Sequence, residues 1–188
     1  MVDGLRYYDL DAYLFEDIHS QFRKDKALCA FDFFSIVIWK ANRAKSRVAK
    51  RLLTKCPQQG ADLYEIVHNL TRSLFEAQTH HERLRILLED WGFYLPMASA
   101  VLSVLYPEFF TVYDFKVCEQ LGRFHKLANA SRFDRIWSGY EQYRDAVLAA
   151  GPNGLSLRDK DRYLWGMSSA RQLENDIATC FSKPSESD

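Results

Sequence analysis

Residues 61–91 read ADLYEIVHNLTRSLFEAQTHHERLRILLEDW, and this stretch decides the fold class. Leu63, Ile66, Val67, Leu70 and Leu74 recur at steps of three and four, the spacing that puts side chains on one face of an α-helix. The pattern predicts a helix from about Ala61 to Gln78. Thr79 followed by Glu82 is a capping-box pair and opens the next helix. Leu84, Leu87, Leu88 and Trp91 share a face of that helix, and Gly92 closes it.

The same periodicity extends in both directions. Upstream, Asp9 caps a helix that turns Tyr13, Leu14, Ile18 and Phe22 inward and ends at about Lys24 to Lys26. A long helix is predicted from about Asp32 to Lys55, stopped by Cys56-Pro57-Gln58-Gln59-Gly60. Downstream, Pro96 fits a first helical turn, and a helix runs from it to about Tyr106 before Pro107. Phe109 to Tyr113 is extended, Asp114 caps a helix ending at Gly122, and Phe133, Ile136, Trp137, Tyr140 and Val147 mark another. Gly151-Pro152-Asn153-Gly154 is a turn. Two shorter helices from Ser156 to Phe181 precede a polar tail, SKPSESD, expected to fray. The expected architecture is all-α: residues 1–188 as a single helical domain of eight or nine helices, with no internal repeat and no dividing linker. The 13 Phe and 10 Tyr among 188 residues supply ample core for it.

Composition narrows the function classes. The 25 basic and 25 acidic residues balance, so attraction to nucleic acid or to an anionic membrane has to come from local clustering. Cys29, Cys56, Cys118 and Cys180 stand singly, without the spacing of a zinc or iron–sulfur site; reduced, mostly buried thiols are expected. His80-His81 lack a partner one turn on, and His68 and His125 stand alone, so no metal and no other cofactor is expected. The opening MVDGLRYYDLDAYLF carries three acids before any apolar run and no basic region, unlike a secretory signal. No stretch reaches the roughly 20 apolar residues of a membrane span. Cytoplasm is the expected compartment.

One cluster of charge stands out. Seven basic residues lie between Lys40 and Lys55, with no acid from Asp32 until Asp62. On a continuous helix Lys40, Arg43, Arg47 and Arg51 form a stripe flanked by Lys50 and Lys55, opposite Ala41, Val48, Ala49, Leu52 and Leu53. Such a stripe serves either as a phosphate-binding face or as a solvated surface partnered by acids from elsewhere. Phe31, Phe33, Phe34 and Trp39 read as core, and the alternating run Arg158-Asp159-Lys160-Asp161-Arg162 as a device that laces helices together or stays solvated.

The segment from about 82 to 122 contains WGFYLPMASAVLSVLYPEFFTVYDFKVCEQLG. It resembles the helix-hairpin-helix core of the endonuclease III-like DNA glycosylase superfamily, whose pattern is LPGVGxKTAxxVL followed by VDTHVxRVxxRLG. Without a gap, Gly92 takes the first hairpin glycine, Phe93 the apolar residue between the glycines, Ala98 the small residue opening the second helix, and Val101 with Leu102 its core. Asp114 then falls on the catalytic aspartate, eighteen residues after Pro96, which occupies the position of the family's catalytic lysine.

The resemblance implies DNA as partner, contacted by the hairpin residues Gly92, Phe93, Tyr94, Leu95, Met97 and Ala98 together with Lys40, Arg43, Arg47, Lys50 and Arg51. It also implies excision of a damaged or modified base with Asp114 as catalyst. Tyr94 replaces the second hairpin glycine and Pro96 the lysine, so the implied reaction is base removal without lyase chemistry by that route. Read from the residues alone, Asp114 is a helix cap. A non-catalytic helical DNA- or protein-binding module and a purely structural or regulatory protein stand as the alternatives.

Overall fold

The computed structural model describes residues 3–56, 58 and 60–182, and among these every regular element is helical. Helix α1 (Gly4–Tyr8) is capped by Asp3, whose carboxylate accepts from the Leu5 N–H at 2.9 Å. Asp9 caps the next helix as predicted. That helix is continuous over α2 (Leu10–Ala12), a π-wound stretch Tyr13–Ile18 and α3 (His19–Asp25). Leu14, Ile18 and Phe22 are fully buried along it.

The predicted helix from Asp32 to Lys55 is two helices. Helix α4 (Ala30–Ala41) ends where Ala41 becomes extended, a 3-10 turn Asn42–Ala44 follows, and α5 (Lys45–Lys55) leaves on a new axis. Asn42 favours the turn because its side chain competes with helical hydrogen bonding; its Oδ1 accepts from Lys45 Nζ at 3.1 Å. The break lets α5 lay Val48 and Leu52 against α6 (Leu63–Glu76), while Leu53, expected inward, is exposed. Part of the 56–60 stop and the tail after residue 182 lie outside the described residues.

Thr79 caps α7 (His80–Arg85), which continues through a π-wound turn, Ile86–Asp90. Helix α8 (Leu95–Leu105) is the centre of the fold: every residue from Ala98 to Leu105 is buried. A helix apolar on all sides is stable only when surrounded, and α3, α4, α7 and the π-wound stretch of residues 13–18 surround it. Helix α9 (Phe115–Leu121) lies between Asp114 and Gly122, as predicted. Helix α10 (Phe133–Ala149) supplies the buried tyrosines Tyr140 and Tyr143. The two helices expected near the carboxy terminus are one, α11 (Leu157–Ala178), which packs on α9. Gly166 inside it costs only about 1 kcal/mol relative to alanine and does not interrupt it. Of the four cysteines Cys118 alone is buried; Cys29 and Cys180 are exposed and Cys56 half-buried, because the other three sit at helix ends.

No helix of the described residues is long and apolar enough to cross a membrane.

Candidate functional site

Asp114 is held by an extended segment that has no strand beside it. Between Phe110 and Asp114 the backbone crosses the face of α10, and side chains stand in for a sheet partner. The Thr111 N–H donates to Tyr140 Oη at 3.0 Å, and the Tyr140 hydroxyl donates back to the Thr111 carbonyl at 2.6 Å. Tyr143 donates to the Val112 carbonyl at 2.8 Å and accepts from the Asp114 N–H at 3.4 Å. Ser99, on α8, accepts from the Tyr113 N–H at 2.8 Å. Burial pushes the Tyr140 and Tyr143 hydroxyls far above the ordinary phenol range, so both remain neutral donors. Buried backbone groups need such partners, and here they fix the position of the aspartate that follows.

The two carboxylate oxygens of Asp114 have separate duties. Oδ1 accepts from the Lys116 N–H at 3.0 Å, the predicted helix cap. Oδ2 pairs with Lys40 Nζ, from the last turn of α4, at 2.5 Å. The side chains are 24% and 14% exposed, so the pair is sheltered and still reachable. It lies in a cleft of about 440 Å³, walled by Trp39 and Trp165 and lined by the acids Asp11, Asp114 and Asp161 and the bases Lys40, Arg158 and Arg162.

Arg158 ties the cleft together. It donates to Asp11 at 2.5 Å and to Asp161 at 3.2 Å, and its guanidinium lies 4.1 Å from the Phe15 ring centroid and 5.2 Å from that of Trp39. The charge run therefore does lace helices, as its alternation suggests, and it also builds a wall of the cleft. Burial raises the Asp161 carboxyl to about 6, against the opposing pull of Arg158 and Lys40. Lys116 reaches across to Trp165, its Nζ 4.5 Å from the ring centroid, and donates to Ser169 Oγ at 2.8 Å.

The predicted DNA-contacting residues divide. Gly92 adopts φ +66°, a left-handed conformation suited to glycine. A Cβ there would meet Lys55 Cε at 3.4 Å and Arg51 Nη1 at 3.5 Å. Arg51 also lies over the Tyr94 ring, 4.8 Å from its centroid. The loop between α7 and α8 and the end of α5 thus share one surface, on which Tyr94 is 70% exposed. Phe93, Leu95 and Ala98 are buried and serve the core, with Phe93 edge-on to Phe33, while Met97 is half-buried.

The single basic stripe does not survive the break after α4. Lys40 turns to Asp114, Arg51 to the loop, and Arg43, Arg47 and Lys50 remain exposed. Among the described residues Lys40 alone of the predicted basic contacts has an acidic partner. None of residues 92–97 lines the Asp114 cleft.

Sequence reasoning does not single out Asp11, Arg158, Asp161 and Trp165 for the cleft, and it assigns Trp39 to the core. One signal is present: Arg158, Asp161, Arg162 and Trp165 are spaced three, four and seven apart, one face of a helix carrying charge and an indole together. Among the described residues no group of three or more His, Cys, Asp or Glu is placed to hold a metal ion. Compared with family models, curated proteins and solved structures, the chain matches none.

Proposed function

We propose that the protein binds DNA and removes a damaged or modified base in the manner of a helix-hairpin-helix glycosylase, with Asp114 as its catalytic residue and without a lysine nucleophile at position 96. The observation that carries this reading is the anchored Asp114 carboxylate in an open cleft whose lining includes two tryptophans. In this reading the duplex backbone rests on the Gly92–Tyr94 loop with Arg51 and Lys55, where left-handed Gly92 permits close approach.

The target nucleotide leaves the stack and its base enters the cleft. Stacking on an aromatic face contributes about 1–3 kcal/mol per base, which offsets part of the cost of extrusion. Asp114 then stabilises the cationic sugar that develops as the glycosidic bond breaks and orients the attacking water. Lys40 holds Oδ2, the oxygen not used by the helix cap, in place until substrate arrives. The cytoplasm is the compartment proposed for this activity.

A second reading, a non-catalytic DNA-binding module, is favoured by the engagement of both Asp114 oxygens and by a cleft lining to which none of residues 92–97 contributes. Duplexes carrying a panel of damaged bases, incubated with the protein and then cleaved with alkali at abasic sites, separate the two. The first reading expects strand cleavage that is lost in Asp114→Asn. Binding without any abasic product would leave the second.

A further inference from the structure

A second concave surface lies at the other end of α9. The chain from Gly122 to Phe133 contains Arg123, His125, Lys126 and Arg132 and no acid; the nearest acids in sequence are Glu119 and Asp134. It folds against α10 to enclose a groove of about 880 Å³. Arg123, His125, Lys126 and Arg135 line it, with the amides Asn129 and Gln142, and no carboxylate does. Among the described residues none of Arg123, Lys126 and Arg135 is in an ion pair. In a chain whose charges balance overall, an acid-free concave surface is a local positive field.

The groove is built, not left over. Gly122 ends α9 in the left-handed conformation, and Phe124 holds φ +77°, which a side chain disfavours. Phe124 is kept there by its carbonyl, which accepts from the Tyr113 hydroxyl at 2.7 Å, and by its ring, edge-on to Tyr143. The short 3-10 turn Leu127–Asn129 seats Leu127 where a Cβ on Gly139 would lie 2.5 Å from Leu127 Cδ1. Tyr113 and Tyr143 are the same residues that position the Asp114 segment, so cleft and groove share one rigid support.

We infer that this groove is a nucleic-acid backbone site that receives the DNA strand leaving the Asp114 cleft. Two observations carry it. Four basic side chains, Arg123, His125, Lys126 and Arg135, are exposed in the groove lining, an arrangement suited to several phosphates of one strand; a single small anion needs donors that converge in a sheltered pocket. His125 lies against Phe115, the first residue of α9, with ring centroids 5.0 Å apart, so the surface is continuous toward Asp114. The inference rests on the DNA-binding part of the proposed function and is independent of base removal.

The test is equilibrium binding of a labelled mixed-sequence duplex to the full chain over a range of salt. The variant Arg123→Gln/Lys126→Gln/Arg135→Gln is expected to bind about tenfold more weakly or worse and to lower the salt slope by about 2–3, close to one unit for each phosphate that is no longer neutralised. Its thermal unfolding midpoint is expected to stay unchanged, since all three side chains are exposed. Arg123→Lys/Arg135→Lys is expected to retain the wild-type slope, which a packing defect would not do.

Unchanged affinity and slope in the glutamine variant would overturn the inference. So would competition by inorganic phosphate, or by polyglutamate, as effective per charge as that by unlabelled duplex. Base release without dependence on the groove would leave the proposed function standing and remove this inference; groove-dependent binding without base release would do the reverse.

Discussion

The Asp114 cleft and the groove beyond α9 each gather cations at the surface of a neutral chain, but in opposite states. In the cleft Lys40 and Arg158 are sheltered and paired with Asp114, Asp11 and Asp161. In the groove Arg123, Lys126 and Arg135 are exposed and face no carboxylate. Pairing fixes side chains in place and suits a region that must hold one reactive group in one geometry. Exposed, unpaired cations add little to stability but create the field that attracts a polyanion. The first arrangement fixes geometry, and the second supplies a field.

The largest effect expected is on chemistry. Asp114→Asn keeps a capping oxygen and loses the charge, so base release should fall by about 100- to 10,000-fold, while duplex affinity stays within about threefold. Base release at the wild-type rate by the asparagine variant in the alkaline-cleavage assay would remove Asp114 from the reaction.

Next in size is the loss of a cleft pair. Arg158→Met leaves Asp161, 6% exposed at its side chain, without its cation, and should lower unfolding free energy in urea by about 2–4 kcal/mol. Stripping one groove cation, Arg135→Gln, should change it by no more than about 0.5 kcal/mol in either direction. Equal costs would show that the two regions do not differ as described.

A pH series sharpens the same contrast. Asp161 in the fold titrates at about 6 instead of near 3.8, so the folded state binds its proton more tightly than the unfolded chain does. Its contribution to stability is therefore fully present below about pH 4 and is lost as pH rises through 6, an amount of about 2–3 kcal/mol. Asp161→Asn should flatten stability over that window; a variant that keeps the wild-type slope would assign it to another group. The smallest effect is expected at the exposed pair Arg72–Glu76, one turn apart on α6: Glu76→Gln should cost no more than about 0.5 kcal/mol in urea.

What the sequence discloses is local. Asp9, Thr79 and Asp114 are readable as caps because a cap is decided within three residues of itself, and Gly92 and Gly122 as stops because only glycine takes their backbone shape without strain. The break at Ala41 is not readable in this way: apolar residues keep their helical spacing across it, and the turn exists because α5 has to reach α6. The cleft is harder still. Asp11 and Arg158 meet across 147 positions, and no local pattern joins them. Lys40 stands out in the sequence for its charge and meets Asp114 for a different reason, the placing of the end of α4 beside the start of α9.

The segment that carries Asp114 behaves as a strand whose neighbours are side chains. In an ordinary loop an amide proton exchanges with solvent whenever the loop flexes. Here the amides of Thr111 and Tyr113 are held by Tyr140 on α10 and Ser99 on α8, both at the centre of the core. Their protons are released only when those helices part, on the clock of global unfolding and not of loop motion. A segment without regular secondary structure is in this respect as slow to open as the helices around it.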